Sequence, residues 1–222
     1  MSDRKRETKI GLLGGTFNPI HAGHLRAAEE IHEKFQLKEV IFIPAKLPPH
    51  KISAEVITAT HRLKMVKLAI QGNSHFSVSD LELKRRGKSF TIQTINHFRM
   101  QYGEDALLFF ILGMDAFMEI KIWKDYKMVF SLCDWIVMTR PGHPQKAFKE
   151  IIPVDLKRDF CYDSKGKALI HRSNHRIYFA EITLLDISSS KIRERIKKGE
   201  SVRYLLPERV EDYIEKNSLY HE

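Results

Sequence analysis

The stretch Gly14–His24, GGTFNPIHAGH, decides the fold because it joins a buried strand to the start of a helix. The residues before it, Lys9–Leu13 (KIGLL), form a short apolar run that suits an interior parallel strand. The glycine pair then lets the backbone turn sharply and approach a ligand closely. Asn18 and Pro19 predict a turn, and apolar residues at helical spacing predict a helix that begins near Ala22.

Two imidazoles lie at the start of this predicted helix. His21 and His24 are three residues apart, so they share roughly one face of the first helical turn. Unpaired N–H groups and the positive end of the helix dipole favour an anion there, and imidazole nitrogens can add directed donors. The stretch therefore predicts a phosphate site. A capping turn with two exposed histidines is the alternative, and a zinc site is weaker because no nearby Cys or carboxylate completes a tetrahedral set.

Composition limits the kinds of protein that the chain can be. Its 222 residues, 43% hydrophobic and 29% charged, are ordinary for a globular protein with a sizeable core. We find neither an apolar run of about 18 residues for a bilayer nor a signal-peptide core before the first strand. Cys133 and Cys161 are too few for a disulfide framework, so we expect reduced packing residues in a cytoplasmic protein.

The net charge of +9 makes nucleic acid a candidate partner, because clustered Lys and Arg displace counterions from phosphates. The basic residues are instead scattered, for example over Lys84–Lys88 and Lys191–Lys198, without a repeated aromatic platform for bases. The same positive field would concentrate anionic nucleotides at an enzyme. Charge alone does not decide between these partners. We rank nucleic acid second to small-molecule anions, expect no membrane partner, and keep a basic RNA-binding protein without enzymatic activity as the alternative.

Apolar strands alternate with helical patterns, which predicts an α/β fold: a Rossmann-like, open, mainly parallel sheet with helices on both faces. The predicted strands are Ile10–Leu13, Val40–Pro44, Phe76–Ser79, Leu107–Leu112, Trp135–Thr139 and Ile177–Ala180. Further helices are predicted over Thr60–Gln71 and Thr91–Gln101, and each is followed by a glycine. Pro141–Ser173 is the least periodic segment. Ligands of such sheets bind beyond the strands' carboxyl ends where the strand order reverses, and Gly14 lies at one such end.

A second informative stretch, Leu112–Tyr126 (LGMDAFMEIKIWKDY), follows directly after another predicted strand. Gly113 would permit close approach of a ligand, and Asp115 could accept hydrogen bonds from ribose hydroxyls. Trp123 offers a flat indole for stacking on a pyridine ring. A helix N-cap for Asp115 and a core position for Trp123 are the alternatives.

A third stretch, Leu184–Gly199 (LLDISSSKIRERIKKG), predicts a helix capped by Ser188 and closed by Gly199. Serine hydroxyls and backbone amides at this helix start could hold triphosphate oxygens, and Arg193 supplies a permanent cation one turn later. The alternative is a capped surface helix with an exposed arginine.

These stretches carry a resemblance to a known family. Gly14–His24 closely resembles the T/H-x-G-H signature of the nucleotidyltransferase superfamily, in the extended form of bacterial nicotinate mononucleotide adenylyltransferases. Leu112–Tyr126 resembles that family's Gly-x-Asp and Trp segment, which lines its nicotinate nucleotide pocket. Ile187–Arg193 resembles its I-S-S-T-x-I-R motif, with Ser190 where threonine is usual.

Two shorter segments extend the resemblance. Lys46–Lys51 (KLPPHK) is similar to the family's PPHK loop, although a simple exposed loop remains an alternative. Ser89–Thr94 (SFTIQT) resembles a segment whose threonine contacts nicotinate, which points to Thr91, or alternatively makes Thr91 the N-cap of its helix. Gln93 departs from the family's usual aspartate. The resemblance covers essentially the whole chain apart from Pro141–Ser173.

The resemblance implies transfer of an adenylyl group from ATP to nicotinate mononucleotide in NAD biosynthesis, giving deamido-NAD and pyrophosphate without a covalent enzyme intermediate. It also implies Mg²⁺ that arrives with ATP, since no carboxylate cluster is visible for a metal site on the protein. Nicotinamide mononucleotide or pantetheine phosphate is the alternative acceptor. We expect one nucleotidyltransferase domain over residues 1–222 with a C-terminal helical portion from about 188, and leave a homo-oligomer open.

The implied site residues fall into three sets, and we expect the stretches that begin at Gly14, Gly113 and Ser188 to converge around one cavity. The catalytic set is His21, His24, Lys51 and Arg193. The ATP-binding set is Gly14, Gly15, Thr16, Phe17, His24, Ser188, Ser189 and Arg193. The nicotinate-nucleotide set is His50, Lys51, Thr91, Gly113, Asp115 and Trp123.

Overall fold

A computed structural model describes residues 8–46, 56–103, 105–140, 151–163, 165 and 168–221. Its described part contains one sheet of eight strands in the order β3-β2-β1-β4-β5-β8-β7-β6. The strands are β1 (Thr8–Gly15), β2 (Glu39–Pro44), β3 (Phe76–Val78), β4 (Ala106–Gly113), β5 (Asp134–Thr139), β6 (Phe160–Tyr162), β7 (Ala168–His171) and β8 (Arg176–Glu181). The six predicted strands are all confirmed, each within two residues of its expected ends.

The sheet is parallel from β3 to β8, and only β7 and β6 run antiparallel at its far edge. The α/β fold class is therefore confirmed. The strands β6 and β7 were not predicted. They lie within the segment Pro141–Ser173, where each strand is only three or four residues long. Runs this short show no reliable alternation of apolar and polar residues. Each strand pairs with its neighbour in the chain, β6 with β7 and β7 with β8.

The helices are α1 (Ala22–Phe35), α2 (Ala59–Ala69), α3 (Leu81–Lys84), α4 (Thr91–Tyr102), α5 (Met114–Met118), α6 (Tyr126–Val129), α7 (Ser189–Lys197) and α8 (Glu208–Lys216), with 3₁₀ turns at Ile120–Ile122 and Val154–Asp159. The predicted start of α1 and the extents of α2 and α4 are confirmed. The C-terminal portion from about 188 contains α7 and α8, while the single-domain organisation stays a prediction.

Helices cover both faces of the sheet, as β4 illustrates. Its alternate residues Phe109 and Ile111 pack with α1, α2, α7 and α8 on one face. Phe110 and its neighbours two residues away pack with α4 on the other face. This alternation follows from the two-residue period of a strand. A strand buried on both faces must be apolar throughout, which is why the run ALLFFI was readable from sequence.

The strand order reverses between β1 and β4. The chain passes from β1 to β2 and β3 on one side, and then returns to place β4 on the other side of β1. The carboxyl ends of these two central strands, Gly15 and Gly113, therefore flank the crevice in which such sheets bind ligands.

The two cysteines are free, but only Cys133 is buried. The expectation that Cys161 is a packing residue is wrong, because Cys161 lies exposed on β6 at the edge of the sheet. Among the described helices, none combines the length and apolar character that crossing a bilayer requires.

Candidate active site

The loop that leaves β1 is held by packing of its own aromatic side chain. Phe17 has a positive φ of 49° and is 2% exposed. A Cβ at Gly15 would lie 2.6 Å from the Phe17 ring atom Cζ, closer than real Cβ contacts allow. Gly15 is therefore needed so that this ring can fold back under the turn. The Phe17 ring packs beneath the loop against His24 and Phe42, and a contact of Phe17 with ATP stays a prediction.

The two predicted histidines are stacked at the start of α1. His21 is the N-cap residue and His24 lies in the first turn, with ring centroids 3.7 Å apart and planes inclined by 32°. Gly23 makes this possible, because a Cβ there would be only 3.1 Å from the His21 ring. The His21 backbone N–H donates to His24 Nδ1 at 3.3 Å. A neutral His24 thus carries its proton on Nε2.

Burial controls the charge of this pair. His21 is 6% exposed, and desolvation lowers its pKa from 6.5 to about 4. His21 is therefore neutral at pH 7, which removes charge repulsion between the two stacked rings. Its Nδ1 atom is buried and has no hydrogen-bond partner among the described residues. Buried polar atoms normally have a partner, so this atom is a candidate contact for a bound group. The alternative of two exposed histidines is wrong.

Arg62 on α2 was not predicted and organises the floor of the site. Its side chain is 0% exposed, and its guanidinium donates to three backbone carbonyls from separate segments. The acceptors are Ile57 O at 3.1 Å, Thr16 O at 2.7 Å and Lys46 O at 3.0 Å. Burial lowers the pKa of Arg62, yet arginine stays charged in proteins. The signal in the sequence was an arginine at helical spacing with Met65 and Val66, on the apolar face of α2.

The Asn18–Pro19 turn is tied to the C-terminal part of the chain. The buried Asn18 side chain accepts from Tyr220 Oη at 2.9 Å, and its backbone carbonyl accepts from Arg193 Nη1 at 3.0 Å. Ser189 Oγ donates to Pro19 O at 2.8 Å. Ser188 caps α7 as predicted, since its hydroxyl accepts from Lys191 N at 3.2 Å. Half-buried Arg193 therefore docks on the loop, and the alternative of an exposed arginine is wrong.

Two cavities lie side by side at the ends of β1 and β4. The first, of about 230 Å³, is lined by Gly14, Gly15, Thr16, Thr91, Trp123 and apolar neighbours such as Phe110. The second, of about 420 Å³, is lined by His21, His24, Gly113, Asp115 and Arg140 among others. Gly14 and Leu112 border the first cavity, whereas their chain neighbours Leu13 and Gly113 border the second. The boundary between the cavities thus runs along the two strand ends.

This division corrects the expectation of one shared cavity. Gly113 and Asp115 lie with the histidines and apart from Trp123, because β4 ends between the two cavities. Ser188 and Arg193 line two other surface cavities around α7. Arg193 contacts the Asn18–Pro19 turn, and Ile187 lines both the Ser188 cavity and the histidine cavity. His50 and Lys51 lie outside the described residues.

The structure places Trp123 and decides the N-cap alternatives for Thr91 and Asp115. Trp123 is half-buried: one side of it packs against the core, with its ring edge-on to Phe110 at 6.2 Å, and it also lines the first cavity. Thr91 is the first residue of α4, and the N-cap is Phe90. Asp115 is exposed within α5, whose N-cap is Gly113. The interpretations of Thr91 and Asp115 as N-caps are therefore wrong.

The described residues offer few ligands for a metal ion. No group of three or more His, Cys, Asp or Glu side chains within the described ranges could hold one. Asp115 is the only carboxylate among the described residues that line the cavity with the histidines. A single carboxylate can add one oxygen to a magnesium ion that takes its other ligands from phosphates and water.

An open parallel sheet with paired imidazoles at its switch point and a cavity on each side defines a nucleotide-binding α/β protein. The chain belongs to the cytidylyltransferase-like family, whose sequence model matches residues 12–195. Curated relatives named "Probable nicotinate-nucleotide adenylyltransferase" match nearly the full length. The protein from Geotalea daltonii is 45% identical over 96% of this chain and 99% of its own length. That from Syntrophotalea carbinolica is 46% identical over 96% of this chain and 97% of its own.

Solved structures agree on the fold. The Plasmodium falciparum nicotinic acid mononucleotide adenylyltransferase complexed with NaAD has a TM-score of 0.71 at 19% identity, covering 96% of this chain and 97% of that one. The same enzyme complexed with APC gives a TM-score of 0.69. The resemblance found in the motifs is confirmed by the family match and by the names of the relatives.

Proposed function

We propose that the chain transfers the adenylyl group of ATP to nicotinate mononucleotide, releasing pyrophosphate and forming the dinucleotide deamido-NAD in NAD biosynthesis. The observation that carries this proposal is the pair of adjacent cavities at the ends of β1 and β4, one aromatic and one lined by His21 and His24. Two linked nucleotides require two neighbouring sites. The names of relatives with about 45% identity favour the same reaction.

The arrangement suits direct transfer. In this mechanism, the phosphate of the acceptor attacks the α-phosphorus of ATP in line, the bond to the β-phosphate oxygen breaks, and pyrophosphate leaves. A phosphate is already a nucleophile at neutral pH, so the protein must orient two anions and stabilise negative charge. Trp123 would hold the pyridine ring in the first cavity, while His24 would donate from Nε2 to a phosphate oxygen. His21, neutral through burial, fixes His24 by stacking and through its backbone N–H.

Magnesium would accompany ATP. When bound, Mg²⁺ neutralises charge on the triphosphate. Asp115 is the described residue of the histidine cavity that could reach such an ion or the ribose hydroxyls. Arg193 and Lys51 are the candidate cations that would stabilise the departing pyrophosphate.

We also propose a cytoplasmic location, because free cysteines suit a reducing compartment.

Pyrophosphate release tests the function. Purified protein with ATP and Mg²⁺ is given nicotinate mononucleotide, nicotinamide mononucleotide or pantetheine phosphate in turn, beside a salt-dependent RNA-binding assay. We expect release to be fastest with nicotinate mononucleotide. Release only with another acceptor would change the substrate, and tight RNA binding with no release would overturn the enzymatic assignment.

A substitution tests the assignment of the cavities. Trp123→Ala is expected to raise KM for the mononucleotide by about tenfold through loss of stacking, with little change in KM for ATP. Equal effects on both substrates would contradict the placement of the pyridine ring beside Trp123.

A further inference from the structure

We propose that the Lys124 ammonium recognises the carboxylate of the nicotinate ring and sets the preference for nicotinate over nicotinamide mononucleotide. This inference rests on the proposed function and names the residue that selects its acceptor. The two acceptors differ only at one ring substituent, a carboxylate in one and a neutral amide in the other. A positive group at the place where that substituent lies attracts the carboxylate much more strongly than the neutral amide, and so selects between the two acceptors.

Lys124 occupies such a place. It follows Trp123 directly and lines the same cavity of about 230 Å³. Its Nζ atom stands 4.9 Å from the centroid of the Phe90 ring, and Phe90 lines the cavity as well. The Phe90 contact therefore holds the charge against the aromatic wall. Lys124 is itself exposed, and an exposed cation over a ring is held weakly, so the ammonium can turn to a carboxylate at small cost.

The other charge on this cavity makes a cation necessary. Glu82 is the only other ionisable side chain lining the cavity among the described residues, and it is 8% exposed. Its carboxylate accepts from Thr94 Oγ1 at 2.7 Å, and Arg85 Nη1 donates to the same hydroxyl at 3.0 Å. A buried carboxylate repels a second one, so the nicotinate acid would enter only against a compensating positive charge.

Lys124 is available for that role. It forms no ion pair with another described residue, whereas Lys127 nearby is paired with Asp155 at 2.8 Å. The start of α4 at Thr91 adds a positive helix end to the same wall. Lys124 carries a full positive charge, whereas the start of α4 carries only a partial one and attracts a carboxylate more weakly. Removing the Lys124 ammonium should therefore abolish most of the selectivity.

The test compares Lys124→Met, Lys124→Arg and the control Lys121→Met. Lys121 is an exposed lysine of the preceding 3₁₀ turn and does not line the cavity. For each protein, kcat and KM are measured with nicotinate mononucleotide, nicotinamide mononucleotide and ATP, and thermal unfolding confirms the fold.

We expect Lys124→Met to raise KM for nicotinate mononucleotide about tenfold, the usual effect of losing one hydrogen bond to a charged group. KM for nicotinamide mononucleotide and for ATP should stay within about twofold, so the selectivity falls by the same factor of about ten. Lys124→Arg should retain most of the preference, and Lys121→Met should behave as the unmodified chain.

The outcomes separate the two proposals. If the unmodified chain releases no pyrophosphate with either mononucleotide, the proposed function fails and this inference fails with it. If the chain is active but Lys124→Met keeps the original preference, or raises KM for both mononucleotides equally, only the role of Lys124 is overturned. Recognition would then rest on the start of α4.

Discussion

Replacing Arg62 by methionine should destabilise the protein far more than its position on a surface helix would suggest. The guanidinium is fully buried and donates to the carbonyls of Ile57, Thr16 and Lys46 at 2.7 to 3.1 Å. Methionine fills a similar volume but donates no hydrogen bond. Three segments would each lose a partner for a partly buried carbonyl.

The magnitude follows from these three acceptors. A fully buried carbonyl without a partner costs about 1 to 3 kcal/mol, so three partly buried ones set an upper bound of roughly 9 kcal/mol. Removing a buried charge also removes its desolvation penalty, which returns several kcal/mol. We expect the free energy of unfolding to fall by about 3 kcal/mol, and Tm by about 6 to 12 °C for a chain of this length.

Urea unfolding followed by tryptophan fluorescence measures this loss. Arg26→Met is the matched control, because Arg26 is an exposed arginine whose surface pair with Glu30 at 2.7 Å should contribute little to stability. Arg62→Lys should recover only part of the stability, since an ammonium cannot reproduce the planar fork of the guanidinium. A loss below about 1 kcal/mol in Arg62→Met would refute this account of the loop.

Three further predictions concern the β1 loop and the paired imidazoles. His24→Ala should lower the turnover of pyrophosphate release by about 100-fold to 1,000-fold, the usual effect of removing one donor to a transition state. The unfolding midpoint should fall slightly, because His24 Nδ1 also accepts from the His21 N–H at 3.3 Å at the start of α1. Turnover within threefold of the unmodified chain would contradict the assignment. Because the pKa of His21 is about 4 when folded and 6.5 as its ordinary value, the unfolded chain binds more protons between these values. The free energy of unfolding should therefore fall as pH drops from 6.5 towards 4, and His21→Asn should flatten that dependence in urea titrations; parallel curves would count against burial as the cause. Gly15→Ala should cost about 1 to 3 kcal/mol in the same assay, because its Cβ would meet the Phe17 ring at 2.6 Å. Gly113→Ala is the control for stability, since a Cβ there meets no described atom within 4 Å, and equal losses in both variants would exclude the clash as the reason.

Much of the architecture could be predicted from local patterns. The parallel strands could be predicted because a strand buried on both faces must be apolar along its whole length, as in ALLFFI and KIGLL. The starts of α1 and α7 could be predicted because turns and helix caps favour a few residue types. Ser188, for example, caps α7 by accepting a hydrogen bond from a backbone N–H. The motifs then identified the family, which the relatives confirm.

The arrangement of the site could not be predicted in the same way. Gly113 and Asp115 follow the strand that precedes Trp123, yet they border a different cavity, because β4 ends on the boundary between the two. Likewise, Arg193 was expected in a cavity with Gly14 and instead holds the carbonyl of Asn18. Side-chain direction at a strand end depends on the neighbouring strands and helices.

Residues close together in sequence thus specified the strands, the helix starts and the chemistry available at the switch point, because each depends on interactions within a few residues. The burial of Arg62, the lowered pKa of His21, the antiparallel pairing of β6 with β7 and the division into two cavities came only with the folded chain. The burial of Arg62, the lowered pKa of His21 and the two cavities depend on contacts between distant segments, whereas β6 and β7 follow one another in the chain and were missed because each is too short to show a pattern. Burial and desolvation are properties of that packing, which no local pattern encodes.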